Sequence, residues 1–171
     1  IVGTYGTLTI GADGTYTYVA DQSGTDALDL NDPATDVFTY TLSDGTTTTT
    51  ATITVTVTGV NDSPVAVNDA GSVNEDATLT VSTASNGVTQ NNDTDPDTDD
   101  TASTLVVNQI TPNGGSASSV SSGTTYSNGT SVTGTYGTLT IGANGTYTYV
   151  ANQSAADDLD AGDTATDVFT Y

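Results

Sequence analysis

The sequence contains no lysine, arginine, histidine, cysteine, methionine or tryptophan among its 171 residues. Nucleic acids and anionic membrane surfaces are bound largely through cationic side chains, so we expect the chain to bind neither of them. The absence of cysteine and histidine excludes disulfides, thiol nucleophiles, imidazole bases and structural zinc sites. No run of about 18 apolar residues is present, so we expect no membrane insertion.

All of the charged side chains are acidic. The 21 aspartates and glutamates give a formal charge of -21 at pH 7, and carboxylate oxygen is the ligand type that Ca²⁺ and Mg²⁺ prefer. The hydrophobic fraction is only 34%. Its valines, isoleucines, leucines and tyrosines nevertheless alternate regularly with polar residues, which favours small folded β domains over disorder.

A long internal repeat sets the organisation of the chain. Residues 3–40 recur as residues 134–171, an offset of 131 residues, with eight mismatches in 38 positions. Such similarity indicates tandem duplication within a longer array. The turn-rich stretch 59–69 is the best boundary, so we predict that residues 1–60 are the C-terminal part of one repeat and residues 61–171 are the next, without its last strands.

The second repeat stops at Tyr171, in the middle of a pattern that the first repeat completes. We expect either that the polymer continues with a segment like residues 41–59 or that residues 47–58 of another copy fill the gap by strand complementation.

Period-two alternation predicts two β-hairpins in the first repeat, at residues 5–20 and 36–58. Further strands are predicted at 65–67, 77–81, 104–110 and 117–120, and one helical turn at 27–30. Short antiparallel strands at this spacing predict an all-β sandwich. We expect the threonines of the hairpins to face solvent. The apolar and aromatic residues that alternate with them are expected to be mostly buried, namely Leu8, Ile10, Tyr16, Tyr18, Phe38, Tyr40, Ile53, Val55 and Val57.

Several stretches of the sequence carry a family resemblance. The runs GTYGTLTIGADGTYTYVAD and TDVFTYTLSDGTTTTTATITVTVTGVNDSPVAVND, followed by VAVNDAGSVNEDATLTV and an NDTDPD loop, resemble the VCBS repeat and the related bacterial cadherin-like domain. The resemblance implies tandem cadherin-like (immunoglobulin-like) antiparallel β-sandwich repeats. It also implies a giant secreted, RTX-type surface adhesin, and hence an extracellular or bacterial cell-surface location.

The acidic loop at residues 93–100 is the main candidate for metal binding. An EF-hand is excluded because Thr98 and Thr104 stand where that loop needs glycine and glutamate. The resemblance instead implies a cadherin-type Ca²⁺ site built from a linker, an acidic residue near the domain start and the loop. The predicted ligands are Asn61, Asp62, Glu75, Asp76, Asp93, Asp95, Asp97 and Asp99, together with Asp36 from the acidic turn of the preceding repeat.

Several other interpretations stay open at this stage. They are an acidic loop that is only solvated, a Tyr16 and Tyr18 stripe that stacks on surface glycans, and a threonine ladder at 46–58 that binds ice. Catalysis has little support because the aspartates crowd into turns without apolar surroundings. We therefore predict a non-enzymatic, calcium-stabilised spacer for cell adhesion or biofilm. Its partners would be neighbouring repeats, with other copies in a fibre or surface glycans as alternatives.

Overall fold

A computed structural model describes residues 1–171 as an antiparallel, almost wholly β structure. The chain forms two compact units. The first contains residues 1–63 together with residues 95–99, and the second contains residues 64–94 and 100–171.

The first unit consists of two β-hairpins. Strands β1 (Thr7–Ile10) and β2 (Tyr16–Val19) form the shorter hairpin, and β3 (Pro33–Ser43) and β4 (Thr48–Thr58) form the longer one. Both hairpins are antiparallel, and the longer one keeps an uninterrupted register over eleven pairs. The two hairpins predicted from alternation are therefore confirmed.

The second unit is a two-sheet β-sandwich. One sheet has the order β5-β10-β9-β8 and the other the order β11-β6-β7, and a core of valine, leucine and isoleucine lies within the unit. The strands are β5 (Thr78–Val81), β6 (Gln109–Pro112), β7 (Ser118–Ser119), β8 (Thr130–Thr133), β9 (Thr138–Ile141), β10 (Tyr147–Val150) and β11 (Phe169–Thr170). A 3₁₀ turn lies at Ala84–Asn86 and one helical turn, α1, at Ser154–Asp157.

Three local predictions need correction. The segment 65–67 makes only an isolated bridge between Val65 and Thr94, and of the segment 104–110 only the last two residues belong to a strand. The helical turn predicted at 27–30 is wrong, because this region of the first copy forms non-helical turns. In the second copy the counterpart of residues 27–30 is not helical either. The helical turn α1 forms at the positions that correspond to 23–26, where alanines at 155 and 156 replace glycine and threonine at 24 and 25, and alanine is the strongest helix former.

The predicted core is only partly correct. Leu8 and Phe38 are buried, and Ile10, Tyr18 and the three aliphatic residues of β4 are half-buried, but Tyr16 is 54% exposed and Tyr40 is 36% exposed. Tyr16 lies in a sheet of only two strands, whereas the corresponding hairpin of the second unit lies between β5 and β8. Tyr40 lies toward the turn of the β3–β4 hairpin, whose strands of eleven residues are much longer than the four-residue strands β1 and β2.

Candidate metal centre

Three carboxylates of the acidic loop come together. One carboxylate oxygen each from Asp95, Asp97 and Asp100 lies within 4.8 Å of the others. The loop is folded back on itself by the backbone N–H of Asp97, which donates to Oδ1 of Asp95 at 3.1 Å. A donor set made only of oxygen matches the preference of Ca²⁺.

Asp97 is the most deeply buried member of this group, at 4% exposure. Its Oδ2 accepts a hydrogen bond from the backbone N–H of Asp62 at 2.9 Å, whereas its Oδ1 is buried without a hydrogen-bond partner. Leaving a buried carboxylate oxygen without a donor is costly, and a cation would remove that cost. The residues present therefore fit a calcium ion.

The acidic turn of the first unit contacts the same loop. The hydroxyl of Thr98 donates to both carboxylate oxygens of Asp29, at 3.1 and 3.2 Å, and the backbone N–H of Asp99 donates to Oδ1 at 3.1 Å. The bond from Asp99 is the main reason why the pKa of Asp29 lies below its ordinary value. Asp29 thus fixes the loop from a position 69 residues earlier in the chain.

Asp93 has a different environment in the second unit. It is 5% exposed, its Oδ1 accepts the backbone N–H of Val67 at 2.7 Å, and the hydroxyl of Tyr171 lies 3.4 Å from its Oδ2. The same hydroxyl donates to Asp69 at 3.0 Å. Burial and this bond to Asp69 raise the pKa of the Tyr171 phenol, so the phenol stays a neutral donor. Asp93 therefore anchors the start of the second unit and does not join the three-carboxylate group.

The remaining predicted ligands lie outside that group. The side-chain amide of Asn61 donates to the carbonyl oxygen of Asp62. Glu75 and Asp76 are exposed in the turn before β5, where the backbone N–H of Asp76 donates to the carbonyl of Ala151 at 3.1 Å. By contrast Asp100 belongs to the group although it was not in the predicted ligand set.

Asp36 is occupied by protein donors. Its carboxylate accepts the backbone N–H groups of Thr4, Tyr5 and Gly6 and the hydroxyl of Tyr18, at 2.8 to 3.1 Å. Burial opposes ionisation of Asp36, but these bonds outweigh it and lower the pKa of the carboxyl. The repeat copies the arrangement at Asp167, which accepts the corresponding three amides and one tyrosine hydroxyl.

Asp36 therefore has a structural role: its hydrogen bonds join the turn at residues 3–6 (GTYG) to β3. The sequence contained a signal for it, because an aspartate recurs in both copies within the otherwise uncharged run ATDVFTY, and both copies carry the same glycine-containing turn. A side chain at Gly3 would overlap the Asp36 carboxylate, which explains the glycine.

No tyrosine-lined groove accompanies the exposed Tyr16. The open cleft beside β3, of about 620 Å³, is lined by the N-terminal residues 1–4 and by residues 35–39, and no tyrosine is among them. Tyr18 is held by its hydrogen bond to Asp36. This part of the structure therefore gives the glycan interpretation no support.

Neither helical turn has the length and apolar character that crossing a bilayer requires. In comparisons with known proteins, no curated protein and no solved structure matches the chain. A family model does match its first 59 residues. The family is the bacterial cadherin-like domain, and the match to residues 1–59 supports a cadherin-like assignment of this part of the chain.

Proposed function

We propose that the chain is a calcium-stabilised structural repeat of an extracellular bacterial adhesin or filament, acting as a rigid spacer in cell adhesion or biofilm. One observation carries the proposal: the Asp97 carboxylate is buried, one of its oxygens has no hydrogen-bond donor, and carboxylates of Asp95 and Asp100 lie beside it. A divalent cation is the simplest species that satisfies all three groups.

The residues that would hold Ca²⁺ are Asp95, Asp97 and Asp100. Calcium takes six to eight oxygen ligands, so backbone carbonyls or water would supply the rest. When bound, the ion neutralises clustered carboxylates in a chain whose charge is -21. Asp62 and Asp29 do not need to bind the ion themselves, because their hydrogen bonds with Asp97 and Thr98 already hold the loop in place.

The internal repeat and the family match also agree with a spacer role. The near-identical repeat at an offset of 131 residues favours a tandem array, in which neighbouring repeats are the partners. Bacterial cadherin-like domains are usually extracellular and non-enzymatic, and residues 1–59 match that family. An ion at Asp97 would fix the loop to which the backbone N–H of the linker residue Asp62 is hydrogen-bonded, and would thereby stiffen the segment that joins successive repeats.

Thermal melting with calcium and with excess chelator tests the proposal. Because an ion that binds only the folded state stabilises it by mass action, free calcium at about 100 times Kd should add about 2.7 kcal/mol. Magnesium should stabilise less, since it demands a smaller and more nearly octahedral site.

Two variants make the test specific. Asp97→Asn should abolish most of the calcium-induced rise in melting temperature. Asp13→Asn is the matched control, because Asn144 occupies the same position in the second copy and accepts the same hydrogen bonds from Thr146 that Asp13 accepts from Thr15. Equal melting curves with calcium and chelator, or equal calcium effects in both variants, would contradict a site at Asp97.

A further inference from the structure

Four asparagines of the second unit are followed directly by glycine, namely Asn86, Asn113, Asn128 and Asn144. In such a pair the backbone nitrogen of the glycine can attack the side-chain Cγ of the asparagine, because glycine has no side chain to hinder the approach. The reaction needs the asparagine side chain and the following N–H to be free to meet. The four pairs share the same two residue types, so any difference between them comes from the fold.

Asn144 is restrained at both of its reacting groups. Its Oδ1 accepts hydrogen bonds from the backbone N–H and the hydroxyl of Thr146, at 3.2 and 2.7 Å. The N–H of the next residue, Gly145, donates to the carbonyl oxygen of Gly142 at 3.0 Å, and Gly145 is buried. Ring closure at this pair would require the turn before β10 to open.

Asn86 and Asn128 are each restrained at one reacting group. After Asn86, the buried Gly87 donates its N–H to the carbonyl oxygen of Ala84 at 2.9 Å. The Oδ1 of Asn128 accepts the backbone N–H and the hydroxyl of Thr125, at 2.8 and 3.2 Å. These hydrogen bonds must break before the nitrogen can reach Cγ, so the reaction depends on a local opening of the structure.

Asn113 is restrained at neither group. It lies in the turn between β6 and β7, which the N–H of Gly115 closes by donating to the carbonyl oxygen of Pro112 at 2.9 Å. Asn113 and Gly114 are both exposed, the Asn113 side chain makes no hydrogen bond, and the N–H of Gly114 has no acceptor. Gly114 has a φ of 74°, and no atom lies within 4 Å of the place where a side chain would stand.

We propose that Asn113 is the site at which the folded chain deamidates spontaneously. The nitrogen of Gly114 forms a bond to Cγ of Asn113 and loses its proton to solvent. The bond from Cγ to Nδ2 breaks, and Nδ2 takes a proton from solvent and leaves as ammonia. Water then opens the cyclic imide at one of its two carbonyl carbons, which yields aspartate or isoaspartate. The reaction consumes water and releases ammonia, and it needs no oxidant or reductant.

The product changes both the charge and the backbone of this region. Residues 101–156 contain no charged side chain, so the new carboxylate would be the first charge in that stretch. In isoaspartate the backbone also gains a methylene group, here inside the turn at residues 112–115. Strand β7 has only two residues and pairs with β6 directly after this turn, so isoaspartate should loosen the pairing.

Peptide mass spectrometry of the full chain, after incubation in mildly alkaline buffer, tests the assignment. The chain has no lysine or arginine, so chymotrypsin replaces trypsin for the digestion. In the folded chain Asn113 should convert roughly tenfold faster than the other three asparagines or more, because their hydrogen bonds must open first. In urea that unfolds the chain, all four should convert at similar rates, since each is followed by glycine.

The variants Asn113→Gln and Asn86→Gln are a matched pair. Both asparagine side chains are exposed and free of hydrogen bonds, and glutamine closes the corresponding larger ring much more slowly. Asn113→Gln should remove most of the ammonia that the folded chain releases, whereas Asn86→Gln should leave the release nearly unchanged. Circular dichroism checks that both variants keep the β structure of the parent.

Three results would overturn the proposal. They are an unchanged Asn113 in the folded chain, conversion of another of the four asparagines as fast as that of Asn113, and equal ammonia release from the two variants.

Discussion

The same isoleucine in the two copies should differ in its contribution to stability. Residues 3–12 and 134–143 have identical sequences, yet Ile141 is 1% exposed in the core of the second unit whereas Ile10 is half-buried in the first. The perturbation is the substitution of each by alanine, Ile141→Ala and Ile10→Ala. Since the local sequence is shared, any difference between the two variants comes from the tertiary surroundings.

The magnitude follows from burial. Isoleucine to alanine removes three carbons, worth about 2.4 kcal/mol in transfer free energy at full burial, at about 0.8 kcal/mol for each. At Ile141 the cavity left among its core neighbours adds to this, so we expect a loss of about 3 to 4 kcal/mol. At Ile10 the side chain is already partly in water and no closed cavity forms, so we expect about 1 kcal/mol.

Hydrogen exchange read by mass spectrometry is the suitable assay, because it reports each unit separately. Ile141→Ala should lower protection of β9 and β10 on the order of a hundredfold, while Ile10→Ala should change β1 and β2 far less. Equal losses at the two positions, or a larger loss at Ile10, would refute the view that the sheets around β9 create the difference.

Three further outcomes are expected. The variant Asp36→Asn should destabilise the first unit at neutral pH, and this loss of stability should shrink as pH falls below 3.8. The reason is that a lowered pKa gives stability that is present above the ordinary value of 3.8 and is lost as pH falls through the lowered folded value. Denaturant midpoints at several pH values measure the loss, and a loss that does not depend on pH would contradict this expectation. Burial and the bond to Asp36 raise the pKa of Tyr18 to about 12, so its contribution is complete below pH 10 and is lost as pH rises through 12. In Tyr18→Phe the loss of stability at alkaline pH should therefore be smaller than in the parent. The same dependence of stability on alkaline pH in both proteins would contradict this role of Tyr18. Gly59→Ala should cost about 1 to 3 kcal/mol, because a Cβ would overlap the carbonyl oxygens of Leu28 and Asp29 in a buried backbone; an unchanged denaturation midpoint would show that this contact relaxes freely.

The alternation of polar and apolar residues was enough to predict the two β-hairpins of the first unit. The hairpins β1–β2 and β3–β4 follow from alternation and turn residues such as Gly14 and Gly45, both of which adopt positive φ. The helical turn predicted at 27–30 forms in neither copy. The helical turn α1 lies at the positions that correspond to 23–26, where the second copy has two alanines and the first copy has glycine at 24 and threonine at 25.

The candidate metal centre was predicted in part for a similar reason. Spacing in the chain identified the loop that contains Asp95 and Asp97, because aspartates two residues apart in a turn present their oxygens together. Spacing could not assign the partners, since Asp29 reaches the loop from 69 residues away. It also could not distinguish a free carboxylate from one that the backbone already satisfies, as at Asp36.

Residue composition and spacing were enough to establish three properties of this protein: an acidic chain without cationic side chains, a repeat at an offset of 131 residues, and strands that alternate threonine with apolar residues. These are properties of residue type and spacing, which need no knowledge of distant contacts. The three-dimensional arrangement was needed to show which alternating faces are covered, which aspartates accept hydrogen bonds from amides, and which carboxylate oxygen of Asp97 lies buried without a donor. Burial and hydrogen bonding depend on the packing of segments far apart in the chain. Identical sequences such as residues 3–12 and 134–143 therefore acquire different environments.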